Sequence, residues 1–326
     1  MMFQTARRLT AGALALAGVL FAAATPAQPF PTKPIRLVIP YTPGGPTDLV
    51  GRALAQRLQA VLGQQVVVDN RAGGGGVIAV EIVAKAAPDG YTLLLGTPGQ
   101  LVLLPLLEAK LPFDAQRDFM PVTKVVDSPQ VLFAFAKFPP NNVAELVAYA
   151  KQRPGQISYG SVQTGGTGHL GMELLKQATG IDMVHVPYKG TAPALTDLIA
   201  GRIQLMFSSL PSVQQHVQAG RVKLLATGAR TRTDAIKDVP TVGETIPGYD
   251  LVTWYGIFAP RRTPAPVIGR LHAELLTILK SPEIAQLFAA TGVEPAWTTP
   301  QELQAYMQAE TERWRKVIRT AGIRLE

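Results

Sequence analysis

The chain of 326 residues contains no cysteine. That excludes a disulfide, a thiol nucleophile and a lipid-modified N-terminal cysteine. Histidine is scarce. His169, His185, His216 and His272 are the four, and none pairs with another ligand at metal spacing. After the N-terminal segment no stretch is long and apolar enough to span a bilayer. Two glycine-rich segments, PGGPTD and RAGGGGV, lack the lysine followed by serine or threonine that a P-loop needs to reach terminal phosphates. Residues 74–79 fit a relaxed dinucleotide pattern, but the strand that follows, YTLLLGTP, ends without the acidic residue that pattern requires. Ser158 and Ser161 lack the flanking glycines of a nucleophile elbow. The composition therefore gives no ground for an enzyme, a metal or a cofactor.

Aromatic residues make up only 7% of the chain. The densest basic group is Arg313, Arg315, Lys316 and Arg319, and no aromatic platform for stacking nucleobases accompanies it. Leu303, Met307, Trp314, Ile318 and Ala321 recur there at helical spacing. The group reads as the solvated face of a C-terminal helix, not as a nucleic-acid site. A formal charge of +8 still favours anionic solutes.

What is present begins with a leader. Arg7 and Arg8 precede an apolar stretch over residues 9–24, and small residues follow up to Ala27. This is the pattern of a cleaved secretory signal over residues 1–27, with Ala24 as the other plausible cleavage point. The paired arginines leave general and twin-arginine export both open. Cleavage after Ala27 leaves 299 residues at a formal charge of +6. Such a chain is expected in the periplasm, not inserted in the membrane.

The mature part alternates strands and helices. RLVIP (36–40) reads as a buried strand, residues 47–62 as a helix stopped by Gly63, and QQVVVDN (64–70) as a strand. The glycine run 73–76 opens a helix to about residue 87, and YTLLLG (91–96) closes a βαβαβ unit. The order recurs in ISYGS, the loop QTGGTGH, the helix LGMELLKQATG, the strand MVHVPY, the segment KGTAPALTDLIAG and the strand IQLMFSS. This predicts an α/β fold of two similar lobes, each a mostly parallel sheet flanked by helices. Long extended segments at 122–136 and 253–260 predict two crossings between lobes. Helices at 266–279, 282–291 and 300–320 are expected to pack back on the first lobe. The expected division is residues 28–125 plus 254–326 for lobe one and 126–253 for lobe two.

Two loops carry the candidate site. Each lies where a strand's carboxyl end feeds a helix N-terminus, the place where open α/β sheets bind ligands. Glycine brings the main chain within reach, and the free N–H groups favour an anion. In the first loop stand Tyr41, Pro43, Gly44, Gly45, Thr47 and Asp48; in the second, Ser161, Gln163, Thr164, Gly166, Thr167 and His169, with Lys189 nearby. Four to six hydrogen bonds to a charged group, at roughly 1.5–3 kcal/mol each, suffice for micromolar affinity. Asp48 has two readings: support of the helix start, which is favoured, or acceptor for a ligand hydroxyl or amine. His169 either faces the cleft or packs beneath it. His185 alternates with apolar neighbours and reads as a satisfied strand residue.

The segments KPIRLVIPYTPGGPTDLVGRAL, VVVDNRAGGGGVIAVEIVAKAAPDGYTLLLG, YGSVQTGGTGHLGMELLK, HVPYKGTAPALTDLIAG and LLATGARTR, in that order, resemble the Bug family, the periplasmic solute receptors of tripartite tricarboxylate transporters. The resemblance covers nearly the whole mature chain. It implies a Venus-flytrap binding protein that closes on a small carboxylate and passes it to membrane subunits of a secondary transporter. It assigns both loops to binding and adds the turn 96–100, with Thr97 and Gln100, to the cleft lining. Ser208 stands where many members carry an aspartate, a departure that favours an acid without an amine. The alternative is a ligand-sensing partner of a membrane signalling protein that uses the same site.

Overall fold

In the computed structural model the described residues are 30–108, 110–162, 164–232, 236–290 and 292–323. The chain divides into Met1–Thr32 and one compact unit, Lys33–Glu326. The signal segment at 1–27 lies outside the described residues.

In lobe one, strand β1 (Ile35–Ile39) leads to helix α1 (Pro46–Leu62), strand β2 (Val66–Asn70), helix α2 (Val77–Ala84) and strand β3 (Thr92–Gly96). A short helix α3 (Leu104–Leu107) precedes the 17-residue strand β4 (Phe119–Phe135). Lobe two continues with α4 (Val143–Lys151), β5 (Ser158–Val162), α5 (Thr167–Thr179), β6 (Val184–Tyr188), α6 (Thr191–Ile199), β7 (Leu205–Ser209), α7 (Leu210–Gln218) and β8 (Val222–Thr227). The chain returns through β9 (Val252–Pro260) to α8 (Ala265–Leu279), α9 (Pro282–Ala290), β10 (Glu294–Pro295) and α10 (Pro300–Ala321).

The strand order is β2-β1-β3-β9-β4-β7-β5-β6, with β8 and β10 also on β4. It reads nearly the same from either end. Each lobe places its first strand between two parallel neighbours, β1 between β2 and β3, and β5 between β6 and β7. This is the repeat expected from the element order. Buried runs such as IRLVI and TLLLG make the central strands, because both faces are covered by helices. Gly63 and Gly180 end α1 and α5 in left-handed conformations at φ 67° and 70°.

Strand β4 is the first crossing. Its residues up to Pro129 pair with β9, and from Gln130 onward they pair with β7. Strand β9 pairs along its length with β4 and β3 inside the lobe-one sheet, so the return crossing comes not along 253–260 as expected but just before β9. There Gln130 N–H donates to the Leu251 carbonyl at 3.3 Å, and Leu251 N–H to that of Gly228 at 2.7 Å. The hinge is thus a small three-segment ladder.

Helix α10 departs from expectation. It packs on β4 as anticipated, but also on α5 of lobe two. Gln177 donates to the Val317 carbonyl at 3.0 Å, and Arg313 bonds the Asp250 carbonyl. One apolar core accordingly runs from Val38 and Leu94 through Trp314 and Ile318 to Leu170 and Tyr159. The apolar stripe of α10 was legible in the sequence; its sharing between two lobes was not.

Candidate ligand-binding site

The strand registers set the site. Pairing of Val38 with Leu94 puts the ends of β1 and β3 side by side. Pairing of Gly160 with Met206 does the same for β5 and β7. In each lobe this is the point where strand order reverses, and the crevice outside the carboxyl ends opens there. In lobe one the loop 40–45 follows β1 and the turn 96–100 follows β3 at that point; in lobe two Thr164 to Gly166 follow β5, and Ser208 and Ser209 end β7. Both edges reach β4, lobe one at Lys124 through the pairing of Gly96 with Gly256 of β9, and lobe two at Gln130 through Ser209.

In lobe one, Tyr41, Thr97 and Gln100 form a closed hydrogen-bonded ring. The Thr97 hydroxyl donates to Gln100 Oε1 at 2.6 Å. Gln100 Nε2 donates to the Tyr41 hydroxyl at 3.0 Å and to the Gly75 carbonyl at 3.2 Å. Tyr41 then donates to Thr97 Oγ1, also at 3.0 Å. Every donor of the three side chains is used, and the Gly75 carbonyl fixes which way the amide points. Gly76, at φ 96°, abuts Gln100: a Cβ there would lie 2.6 Å from Gln100 Cγ. The glycine run is therefore a seat for this ring.

Asp48 is buried on the first turn of α1. Its Oδ2 accepts the Gly44 N–H at 2.8 Å and Arg52 Nε at 2.9 Å. Burial pushes the carboxyl up, but the Arg52 bond, the Gly44 N–H, the Asn70 amide and the Arg52 charge together hold it below its usual range. Asn70 also donates to the Tyr41 carbonyl at 3.0 Å, so the loop is tied at both ends. These bonds match the supporting role favoured from sequence.

In lobe two, Ser161 is fully buried at the end of β5, and its Oγ lies 2.7 Å from His185 Nε2. The Gly165 N–H donates to His169 Nδ1 at 2.9 Å. The two imidazoles stack with centroids 3.7 Å apart at 8°, and Tyr159 lies over His185 at 5.1 Å. His169 thus packs beneath the loop. His185 is a satisfied strand residue, as its alternation with apolar neighbours implied. Burial first, then the neighbouring His169, lowers the His185 pKa to about 4, opposed by Glu173. Ser208 donates to Ser212 Oγ at 2.9 Å, because Ser212 donates its own hydrogen to the Ser209 carbonyl. Lys189 is exposed beyond β6. Gln163 lies outside the described residues.

Tyr255 on β9 was not anticipated. It is buried, and burial raises its hydroxyl pKa to about 12, opposed by hydrogen bonding from Thr47 and Ser128. It joins the first loop to the crossing strand. A tyrosine in the middle of the apolar strand TWYGIFAP was the available signal, since a buried hydroxyl needs a partner.

The helix starts show a pattern. Helices α1, α2, α5, α6 and α7, which start at the crevice edges of the sheet, have no side-chain cap, and α3 and α8 lack one too. Helices α4 and α10, away from it, are capped by Asn142 and Thr299. The crevice therefore presents first-turn N–H groups that no side chain consumes. Two cavities lie elsewhere. One of about 370 Å³ is apolar and lies behind the hinge, between Val131, Leu210 and Val293. The other, of about 520 Å³, is bordered by Arg230, Asp250 and Arg313. Leu210, the first residue of the uncapped α7, lines the apolar one, but the crevice gathers several such helix starts and is the better anion site.

Two sheet halves of 2-1-3 strand order, joined through β4, define a two-lobe periplasmic binding protein. Comparison narrows the class. The family model described as tripartite tricarboxylate transporter family receptor matches residues 50–323. BugT of Bordetella pertussis is 35% identical over 320 residues, covering 96% of this chain and 98% of BugT. The R. palustris protein Rpa4515, solved with adipate, is 39% identical at a TM-score of 0.80, over 90% of this chain and 99% of that one. MatC from Rhodopseudomonas palustris, solved with bound malate, is 31% identical at 0.74, over 89% and 100%. The chain belongs to the tripartite tricarboxylate transporter receptor family, which includes the Bug receptors. That family is one of periplasmic solute-binding receptors, not of enzymes.

Proposed function

We propose that this protein is an exported receptor that captures a small carboxylate, most readily a dicarboxylate, between residues 28–125 plus 254–326 and residues 126–253. It then delivers the acid to membrane subunits of a tripartite transporter. The supporting observation is the set of uncapped helix starts, α1 and α5 foremost, at the two crevice edges. One end of a diacid meets the Gly45 main chain and the first turn of α1, beside the Gly44 N–H held by Asp48 and the Thr47 side chain bonded with Tyr255; the other meets Thr164, Gly166 and Thr167. Relatives solved with adipate and malate support a diacid. Ser161, His169, Tyr41, Thr97 and Gln100 hold the loops in shape, and Lys189 and Ser208 stand at the lobe-two rim. No bond is broken: the site offers donors that are ready before the ligand arrives. Among the described residues no helix is long and apolar enough to cross a membrane.

The test is thermal unfolding of the mature chain against mono-, di- and tricarboxylates and amino acids. A ligand at a hundred times its Kd adds about 2.7 kcal/mol, a midpoint shift of several degrees for this size. A shift with diacids and none with amino acids is expected. Flat midpoints across the panel, in protein shown free of carried-over ligand, would remove the carboxylate assignment.

A further inference from the structure

We infer that His169 is a positioning residue of the ligand site: its unprotonated Nδ1, stacked on His185, holds the lobe-two loop through the Gly165 N–H, and acid releases that loop. The inference rests on the receptor reading above. A backbone N–H can only donate, so the 2.9 Å bond from Gly165 requires a bare Nδ1 and places the ring hydrogen on Nε2. Gly165 is itself held. It adopts φ 76°, and Leu107 of lobe one fills the place a Cβ would take, with Cδ1 at 2.3 Å from it. The loop backbone is thus clamped between Leu107 and His169.

The stack keeps the imidazole neutral. His185 lies face to face at 3.7 Å, and Tyr159 flanks the stack, 5.1 Å from His185 and 6.2 Å from His169. A cation on either ring would face the other across van der Waals contact. Glu173 is the acidic group nearby. Its Oε1 already accepts the Tyr159 hydroxyl at 2.6 Å and Lys176 Nζ at 2.7 Å, so its charge is balanced by Lys176. Glu173, Lys176 and the two histidines are the titratable groups that act on the stack, with the Tyr159 ring as a neighbour. Burial lowers the pKa of both histidines, with Glu173 opposing and Lys176 adding to the effect. The neutral pair is complete above the unfolded value of about 6.5, and is lost as pH falls through the depressed folded values. Protonated Nδ1 would point a second donor at the Gly165 N–H, and the loop must then move.

The test uses calorimetry with adipate and malate as probes, and nitrogen NMR of the ligand-free protein. His169→Ala removes the acceptor and should weaken binding at pH 7.5 by about tenfold, the effect of one lost buried hydrogen bond. His169→Asn sets an amide oxygen near the Nδ1 position and should bind within about threefold of wild type by the same measure. As pH falls from 7.5 to 4, a range that reaches the depressed values, the wild type should lose affinity relative to His169→Asn. The acids' own titration cancels in that difference. NMR should show a bare Nδ1 in His169 at neutral pH. An Ala variant that binds like wild type, or an Asn variant with the same pH profile, overturns the inference and leaves the receptor reading intact. If wild type binds neither acid, the diacid reading falls, and the NMR decides alone: a protonated Nδ1, or titration near 6.5, overturns the inference.

Discussion

At the residue scale, the first loop is held by charge and the second by neutral rings. Asp48 is the clearest case. It was legible as a helix-start carboxylate, but its partner Arg52, one turn on, and its grip on Gly44 emerge only when the turn is built. The carboxyl is buried, and its folded pKa lies below the unfolded value of about 3.9. Its contribution to stability is therefore fully present above that value, and is lost as pH falls through the lower folded one. Asp48→Asn keeps the shape and removes the charge. It should cost about 1–2 kcal/mol near neutral pH by urea unfolding, since two charge-assisted bonds become ordinary ones. The gap between variant and wild type should narrow in acid, where both are uncharged. A constant gap from pH 7 down to pH 3 would mean that the ion pair contributes nothing.

At the element scale, helix α1 starts at Gly45 with φ −80° and ψ 169°, an extended geometry that any residue adopts. A Cβ there meets nothing nearer than the Thr42 carbonyl at 3.9 Å. Gly45→Asp therefore fits without strain. Its carboxylate would take the first-turn N–H groups and stabilise the helix start by a few tenths of a kcal/mol. The same carboxylate would oppose an incoming acid, so adipate affinity should fall by at least about tenfold, one bond's worth. Calorimetry beside thermal unfolding checks both halves; unchanged affinity would remove α1 from the site. Elements of this kind were readable in advance. Apolar runs such as IRLVI and TLLLG, and glycine stops such as Gly63, are local signals. The boundaries moved by only a few residues, as at α2, which ends at Ala84 instead of near residue 87. Partnerships were not readable. Nothing local in MVHVPY says that His185 stacks on His169, and nothing in TWYGIFAP says that Tyr255 reaches Thr47 and Ser128. Those contacts exist because β5 and β6, or β4 and β9, pair at one particular register.

At the scale of the whole molecule, two lobes share one apolar core. The described hinge is short, the ladder of Gln130, Gly228 and Leu251, while α10 lies against both lobes. Its anchor is Glu310, buried, with Oε2 accepting Trp314 Nε1 at 3.0 Å and Oε1 accepting Arg313 at 3.1 Å. Arg313 in turn bonds the Asp250 carbonyl beside the return crossing. Burial raises the Glu310 pKa above its ordinary value, with Arg313 and the Trp314 bond pulling it back. The folded state therefore holds this proton more tightly than the unfolded one. The sign follows: stability is greatest below the unfolded value of about 4.3, and declines as pH rises through the raised folded value. Glu310→Gln keeps an oxygen for Trp314 and needs no charge buried. It should match or exceed wild-type stability at pH 7 by up to about 1 kcal/mol, and the advantage should vanish near pH 4. Urea unfolding of both proteins at the two pH values measures it. A variant less stable than wild type at pH 7 by more than about 1 kcal/mol would show that the Arg313 ion pair outweighs the burial cost. In that case α10 is a charged latch on the return crossing, and acid should loosen the two lobes together.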